Sequence, residues 1–109
     1  MNSDAALLAL AALAHPTRLD AFRHLVEHEP EGLSTGQLVE HSGLTQSTFS
    51  THLAVLARAG LVRSHKQGRH VIQRADIGAL RDLMLFLAKD CCQGRAELCG
   101  PLLAELTCC

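Results

Sequence analysis

The first patterned stretch of the chain, Ser3–His15, is nearly all alanine and leucine and has no polar face. Such a run has high helix propensity. A helix that is apolar all round must be covered on more than one side, and in so small a chain a second subunit is the natural cover. Pro16 suits the first position of a second helix, behind which Leu19, Phe22, Leu25 and Val26 recur at helical spacing. A turn is expected at Pro30–Ser34. Ser34 then stands as the N-cap of a short helix, with Gln37 at the capping-box position and Gly43 at the stop. Thr45 or Ser47 caps a further helix that runs to Ala59, with Phe49, Leu53, Leu56 and Val55 on its buried side and Gly60 after it.

Beyond Gly60 the period shortens. Leu61–His65 and His70–Arg74 read as two short strands around the turn Lys66–Gly68, a hairpin pattern. The last helix is expected over Asp76–Lys89, with Ile77, Leu80, Leu83, Met84 and Leu87 on a broad apolar face and Leu85 and Phe86 beside it. This is again more apolar surface than one monomer can cover. The order is α-α-α-α-β-β-α, mainly α with a small β-hairpin. The 109 residues suit one domain with a real core. Residues 1–90 are expected to form that body and residues 91–109 a cysteine-rich segment after it.

The net charge of −1 speaks against nucleic acid, but its distribution does not. Residues 44–75 hold Arg58, Arg63, Lys66, Arg69 and Arg74 and no acidic residue, whereas the rest holds five basic and eleven acidic residues. A basic patch on a mildly acidic chain is an electrostatic footprint for DNA. The two helices joined by His41–Thr45 make a helix-turn-helix, whose second helix is expected in a major groove. Its N-terminal face offers Gln46, Ser47, Thr48, Ser50 and Thr51, with His52. These short side chains can read base edges or hold phosphates. Lys66 and Arg69, expected at the hairpin tip, would reach phosphates and make binding salt-dependent. An ordinary solvated helix face is the alternative for the serine and threonine row taken alone.

All five cysteines, Cys91, Cys92, Cys99, Cys108 and Cys109, lie in the last nineteen residues. No basic segment precedes the N-terminal apolar run, and no apolar run has the length of a membrane span, so a cytoplasmic, reducing location is expected. Clustered thiols there suggest metal binding or redox chemistry more than disulfides.

The segments "AHPTRLDAFRHL", "LSTGQLVEHSGLTQSTFSTHLAVLARAGLV" and "KQGRHVIQR" resemble the arsenic-repressor (ArsR/SmtB) family of winged-helix regulators. The run from Ser50 to Val62 is the most specific part, and the likeness covers roughly residues 5–90. The resemblance implies a homodimer formed through the first and last helices, a palindromic operator, and release of DNA when a metal or metalloid binds. The expectation is a regulator and not an enzyme, with no required cofactor, because the chain has no phosphate-binding loop and no C-x-x-C on a strand-to-helix turn. One sensor site of the family is a Cys-x-Cys pair before the reading helix, where this chain has "STGQLVEH". Another is a zinc site of Asp and His on the last helix; Asp76 is present, but no histidine follows His70. "DCCQGRAELC" looks like the variant arsenic repressors whose three cysteines follow the last helix, which implies that Cys91, Cys92 and Cys99 bind trivalent arsenic or antimony. Soft centres do select thiolates. Cys108 and Cys109 depart from that pattern and stand as auxiliary ligands. Other readings remain open: methylarsenite on two sulfurs, zinc or cadmium on four, thiol oxidation as the switch, cysteines as small buried residues, or a thiol-based reductase.

Overall fold

The computed structural model describes residues 1–91 and residue 105. Five helices and three strands follow in the order α1 (Ser3–Leu13), α2 (Pro16–Glu27), β1 (Leu33–Ser34), α3 (Thr35–Ser42), α4 (Gln46–Arg58), β2 (Val62–Gln67), β3 (His70–Ala75) and α5 (Ile77–Cys91). This is a mainly helical winged helix-turn-helix with a three-stranded antiparallel sheet in the order β1-β3-β2. The expected four helices, hairpin and last helix are all present. The strand β1 is an addition: its two residues pair Leu33 with Gln73 and Ser34 with Ile72, a ladder too short to show any period in the sequence.

Helix α1 begins at Asn2, whose side chain accepts from the Ala5 N–H. It seats itself on α2 and α4 through alanines, with Ala6, Ala9 and Ala12 all buried. The small stripe brings the helix backbone close to its neighbours and turns the leucines away. Leu7 is 64 % exposed, Leu8 49 % and Leu10 39 %. Helix α5 also packs against α1 and behaves alike: Leu83 is buried, while Ile77, Leu85 and Leu87 stay exposed.

Helix α2 starts with Pro16 in its first turn and with the His15 Nδ1 accepting from the Thr17 N–H. Its buried side is Ala21, Phe22 and Leu25. Leu19, expected in that stripe, is 44 % exposed and instead lines an apolar groove with Leu13, Val26 and Leu80. The core proper joins Phe22, Leu25, Leu38, Phe49, Leu56 and Leu61 to the alanines of α1, so every helix through α4 contributes to it.

Two polar ties hold the wing to the rest. Gln73 is 3 % exposed, yet its amide is used at both ends. It accepts from the Ser64 hydroxyl on β2 and donates to the Thr35 hydroxyl at the start of α3. Arg74 forms a two-pronged pair with Glu29 at 3.2 and 2.8 Å, joining β3 to the turn after α2. Gly32 lets that turn run under β3. Its φ is +77°, and a Cβ there would lie 2.5 Å from the Gln73 carbonyl oxygen and 2.7 Å from the Arg74 side chain.

Where the α1–α2 corner meets α4, the His52 ring lies 4.3 Å from that of His15. The His52 Nδ1 and the Arg18 Nε are buried there without hydrogen-bond partners. Burial, then the nearby His15 and Arg18, lower the His52 pKa below its ordinary value. A depressed imidazole pKa means that the unfolded chain takes up the proton first. The contribution is therefore neutral above the unfolded value and destabilising as the pH falls through it.

Gly32→Ala is expected to cost about 2 kcal/mol or more in a urea titration, through both the left-handed backbone and the clash. His52→Leu should flatten the acid side of the stability profile. Between about pH 7.5 and pH 5.5 the wild-type chain should lose more unfolding free energy than the variant does; equal losses would remove His52 from the account.

Candidate nucleic-acid interface

Helices α3 and α4 are set at their turn by local chemistry. The Ser34 hydroxyl accepts from the Gln37 N–H, and the Gln37 side chain accepts from the Ser34 N–H, a complete capping box. Gly43 closes α3 in the left-handed conformation, with φ +71°. The Ser42 hydroxyl donates to the Val39 carbonyl and accepts from the Leu44 N–H. Thr45, one of the two expected caps, then starts α4 by accepting from the Thr48 N–H. Phe49 pins α4 into the core at 1 % exposure.

That anchor turns Gln46, Ser47, Thr48, Ser50 and Thr51 outward together, and all five are exposed. The hydroxyl of Thr51 donates to the Ser47 carbonyl, and Thr48 accepts from Thr45. The side chains of Gln46, Ser47 and Ser50 carry no hydrogen bond among the described residues. The first turn of α4 holds no acidic residue, so the positive end of its dipole faces outward unopposed, as suits a phosphate. His52 does not join this row. It is half-buried against His15 on another side of the helix.

The wing differs from expectation in its turn. The ladder runs from Val62 opposite Ala75 to Gln67 opposite His70. Gly68, at φ +63°, and Arg69 alone make the connection. A two-residue turn leaves Lys66 on the strand, opposite Val71, and Arg69 in the turn itself. Both are exposed, as is every residue from Arg63 to Val71.

The acid-free block is not an acid-free surface. Arg63 pairs with Asp76 at 2.9 Å and Arg74 with Glu29. Both acids lie outside the block in sequence and are brought in by the fold. Arg58, Lys66 and Arg69 have no ion pair among the described residues. Of these, Arg58 ends the reading helix and Lys66 and Arg69 stand on the wing. Asp76 also caps α5, because its carboxylate accepts from the Ala79 N–H.

Of the thiol cluster, Cys91 is the last residue of α5, which extends two residues past the expected end at Lys89. Cys92, Cys99, Cys108 and Cys109 lie outside the described residues. One group escaped the sequence reading: His24, Glu27 and His28 bring their ligand atoms within 4.8 Å of one another at the end of α2. The signal was the spacing H-x-x-E-H, which puts three potential ligands on one helix face.

Among the described residues no helix is long and apolar enough to cross a membrane. A family model described as a helix-turn-helix domain matches residues 13–65. The transcriptional activator HlyU of Vibrio cholerae is 34 % identical over 92 residues, which cover 84 % of this chain and 82 % of that protein. Its solved structure superposes with a TM-score of 0.64 over 80 % of this chain and 95 % of that one. The "Probable mercury resistance operon repressor" of Streptomyces lividans is 31 % identical over 98 residues, 90 % of this chain and 70 % of that protein. A solved "Possible transcriptional regulator for arsenical resistance" is 31 % identical with a TM-score of 0.64, over 89 % of this chain and 94 % of that one. With these relatives, its capped helix-turn-helix and its basic wing, the chain belongs to the arsenic-repressor (ArsR) family of winged helix-turn-helix transcription regulators.

Proposed function

We propose that this chain is a cytoplasmic homodimeric repressor that releases operator DNA when trivalent arsenic or antimony gathers the thiolates of Cys91, Cys92 and Cys99. The observation that carries the reading is the course of α5. It presents Ile77, Leu85 and Leu87 to solvent and ends at Cys91, the first thiol of the cluster. One helix thus carries both uncovered apolar side chains and the start of the ligand set. Pairing the exposed leucines of α1 and α5 with those of a second copy makes the dimer. Two reading helices then face half-sites about 34–36 Å apart, with Gln46, Ser47 and Ser50 at base edges and Lys66 and Arg69 at phosphates.

Three sulfurs on one soft centre would reshape the end of α5 and hence the angle between subunits. Moving DNA occupancy from nearly full to nearly empty requires about 5.5 kcal/mol of differential affinity. Three arsenic–sulfur bonds are a sufficient source. The relatives named for mercury and arsenical resistance support a thiophilic ligand.

The test is fluorescence anisotropy of the reduced chain on the DNA upstream of its own gene, titrated with arsenite. Release near one equivalent per subunit is expected. Cys91→Ser should bind the same DNA and need on the order of tenfold more arsenite for release. Full release of Cys91→Ser at the wild-type concentration would overturn the site. Release by peroxide but not by arsenite would move these thiols to redox sensing.

A further inference from the structure

We propose that His24, Glu27 and His28 form a second effector site, for a divalent transition-metal ion of the zinc, nickel and cobalt class. The three residues stand at i, i+3 and i+4 at the end of α2, so their side chains share one helix face. His28 is already set for coordination. Its Nδ1 lies 2.9 Å from the His24 carbonyl oxygen. A carbonyl only accepts, so Nδ1 carries the proton and the Nε2 lone pair of the neutral ring is free. A backbone carbonyl on the far nitrogen is the usual way a metal-binding histidine is oriented.

The ring of His24 is fixed by a different device. It stacks on His41 with centroids 3.9 Å apart and planes 10° from parallel. His41 is held in turn by its Nε2, which donates to the Asp20 carboxylate at 3.0 Å. The His24 and His28 rings meet edge to face at 4.6 Å. Glu27 completes the set from a side chain that is 67 % exposed, with an oxygen 3.9 Å from the His24 Nδ1. Donors around a tetrahedral zinc lie about 3.3 Å apart, given metal–nitrogen bonds of about 2.0 Å. The three ligand atoms already lie within 4.8 Å of one another, so closing to that spacing asks for side-chain rotations and no change in the helix.

The donor set determines the ion. Two imidazoles and one carboxylate, without sulfur, suit zinc, nickel or cobalt and not a trivalent metalloid. Exposure leaves the remaining coordination positions to water. The location gives the site a regulatory consequence. His41 belongs to α3, the first helix of the helix-turn-helix, and it touches the metal ligand His24 directly. An ion on α2 thus bears on the element that supports the reading helix, through a route that uses no cysteine.

The test uses the full chain with all five cysteines replaced by serine, titrated with Co(II). The expected result is one equivalent bound, with visible d–d absorption and no sulfur-to-cobalt charge-transfer band, and displacement by Zn(II). His24→Gln and His28→Gln should each weaken binding by at least the roughly 10- to 100-fold that loss of an outer-shell partner costs. Glu27→Gln, on an exposed side chain outside the core, should weaken it on the order of tenfold. His65→Gln and His70→Gln on the wing should leave it unchanged. No cobalt band, or an affinity unaltered in Glu27→Gln and His28→Gln, would overturn the site.

Discussion

The alanine stripe of α1 determines which side of that helix meets the core, and much else follows from it. Ala6, Ala9 and Ala12 allow close approach to α2 and α4, and so leave Leu7, Leu8 and Leu10 in water. Ile77, Leu85 and Leu87 on α5 are left in the same position. Fully burying one exposed side chain of this kind is worth about 1.5–3 kcal/mol, and these six, each about half exposed, amount to about 4–9 kcal/mol, comparable to the stability of a small domain. A surface of that kind is stable in water when a second copy covers it. In the proposed dimer the covering would also set the distance between two reading helices, the quantity that a palindromic operator measures.

Short polar contacts link α5 to the reading element within the chain. Asp76 caps α5, pairs with Arg63 on β2, and its N–H donates to the Leu61 carbonyl at 2.8 Å. From β2, Ser64 meets Gln73, and Gln73 meets Thr35 at the first turn of α3. The hairpin and the helix-turn-helix are therefore tied through a buried amide that is used at both ends. In the proposed switch, a change at the far end of α5 would act on this tied unit through rotation of the subunits.

Much of this was legible from the residues in order. The capping box at Ser34 and Gln37, the stop at Gly43, the cap at Thr45 and the core side of α4 are local features, and local rules give them. What was not legible depends on tertiary partners. Two residues of β1 carry no period. The neutralisation of Arg63 and Arg74 needs Asp76 and Glu29, which stand outside the acid-free block. Leu19 fits the helical stripe but faces a groove, because Ala21 and Phe22 take the buried side. His52 reads as part of a polar face until the α1–α2 corner brings His15 against it. The histidine group on α2 was visible as a spacing, but its stacked partner His41 lies on another helix.

The central claim is that the uncovered leucines of α1 and α5 exist to join two copies. Sedimentation equilibrium of the reduced full chain at micromolar concentration tests this most directly. The account predicts a species of twice the 11.7 kDa chain mass, reduced to the monomer by Leu7→Glu together with Leu85→Glu. A wild-type chain that sediments as a monomer throughout that range would contradict it.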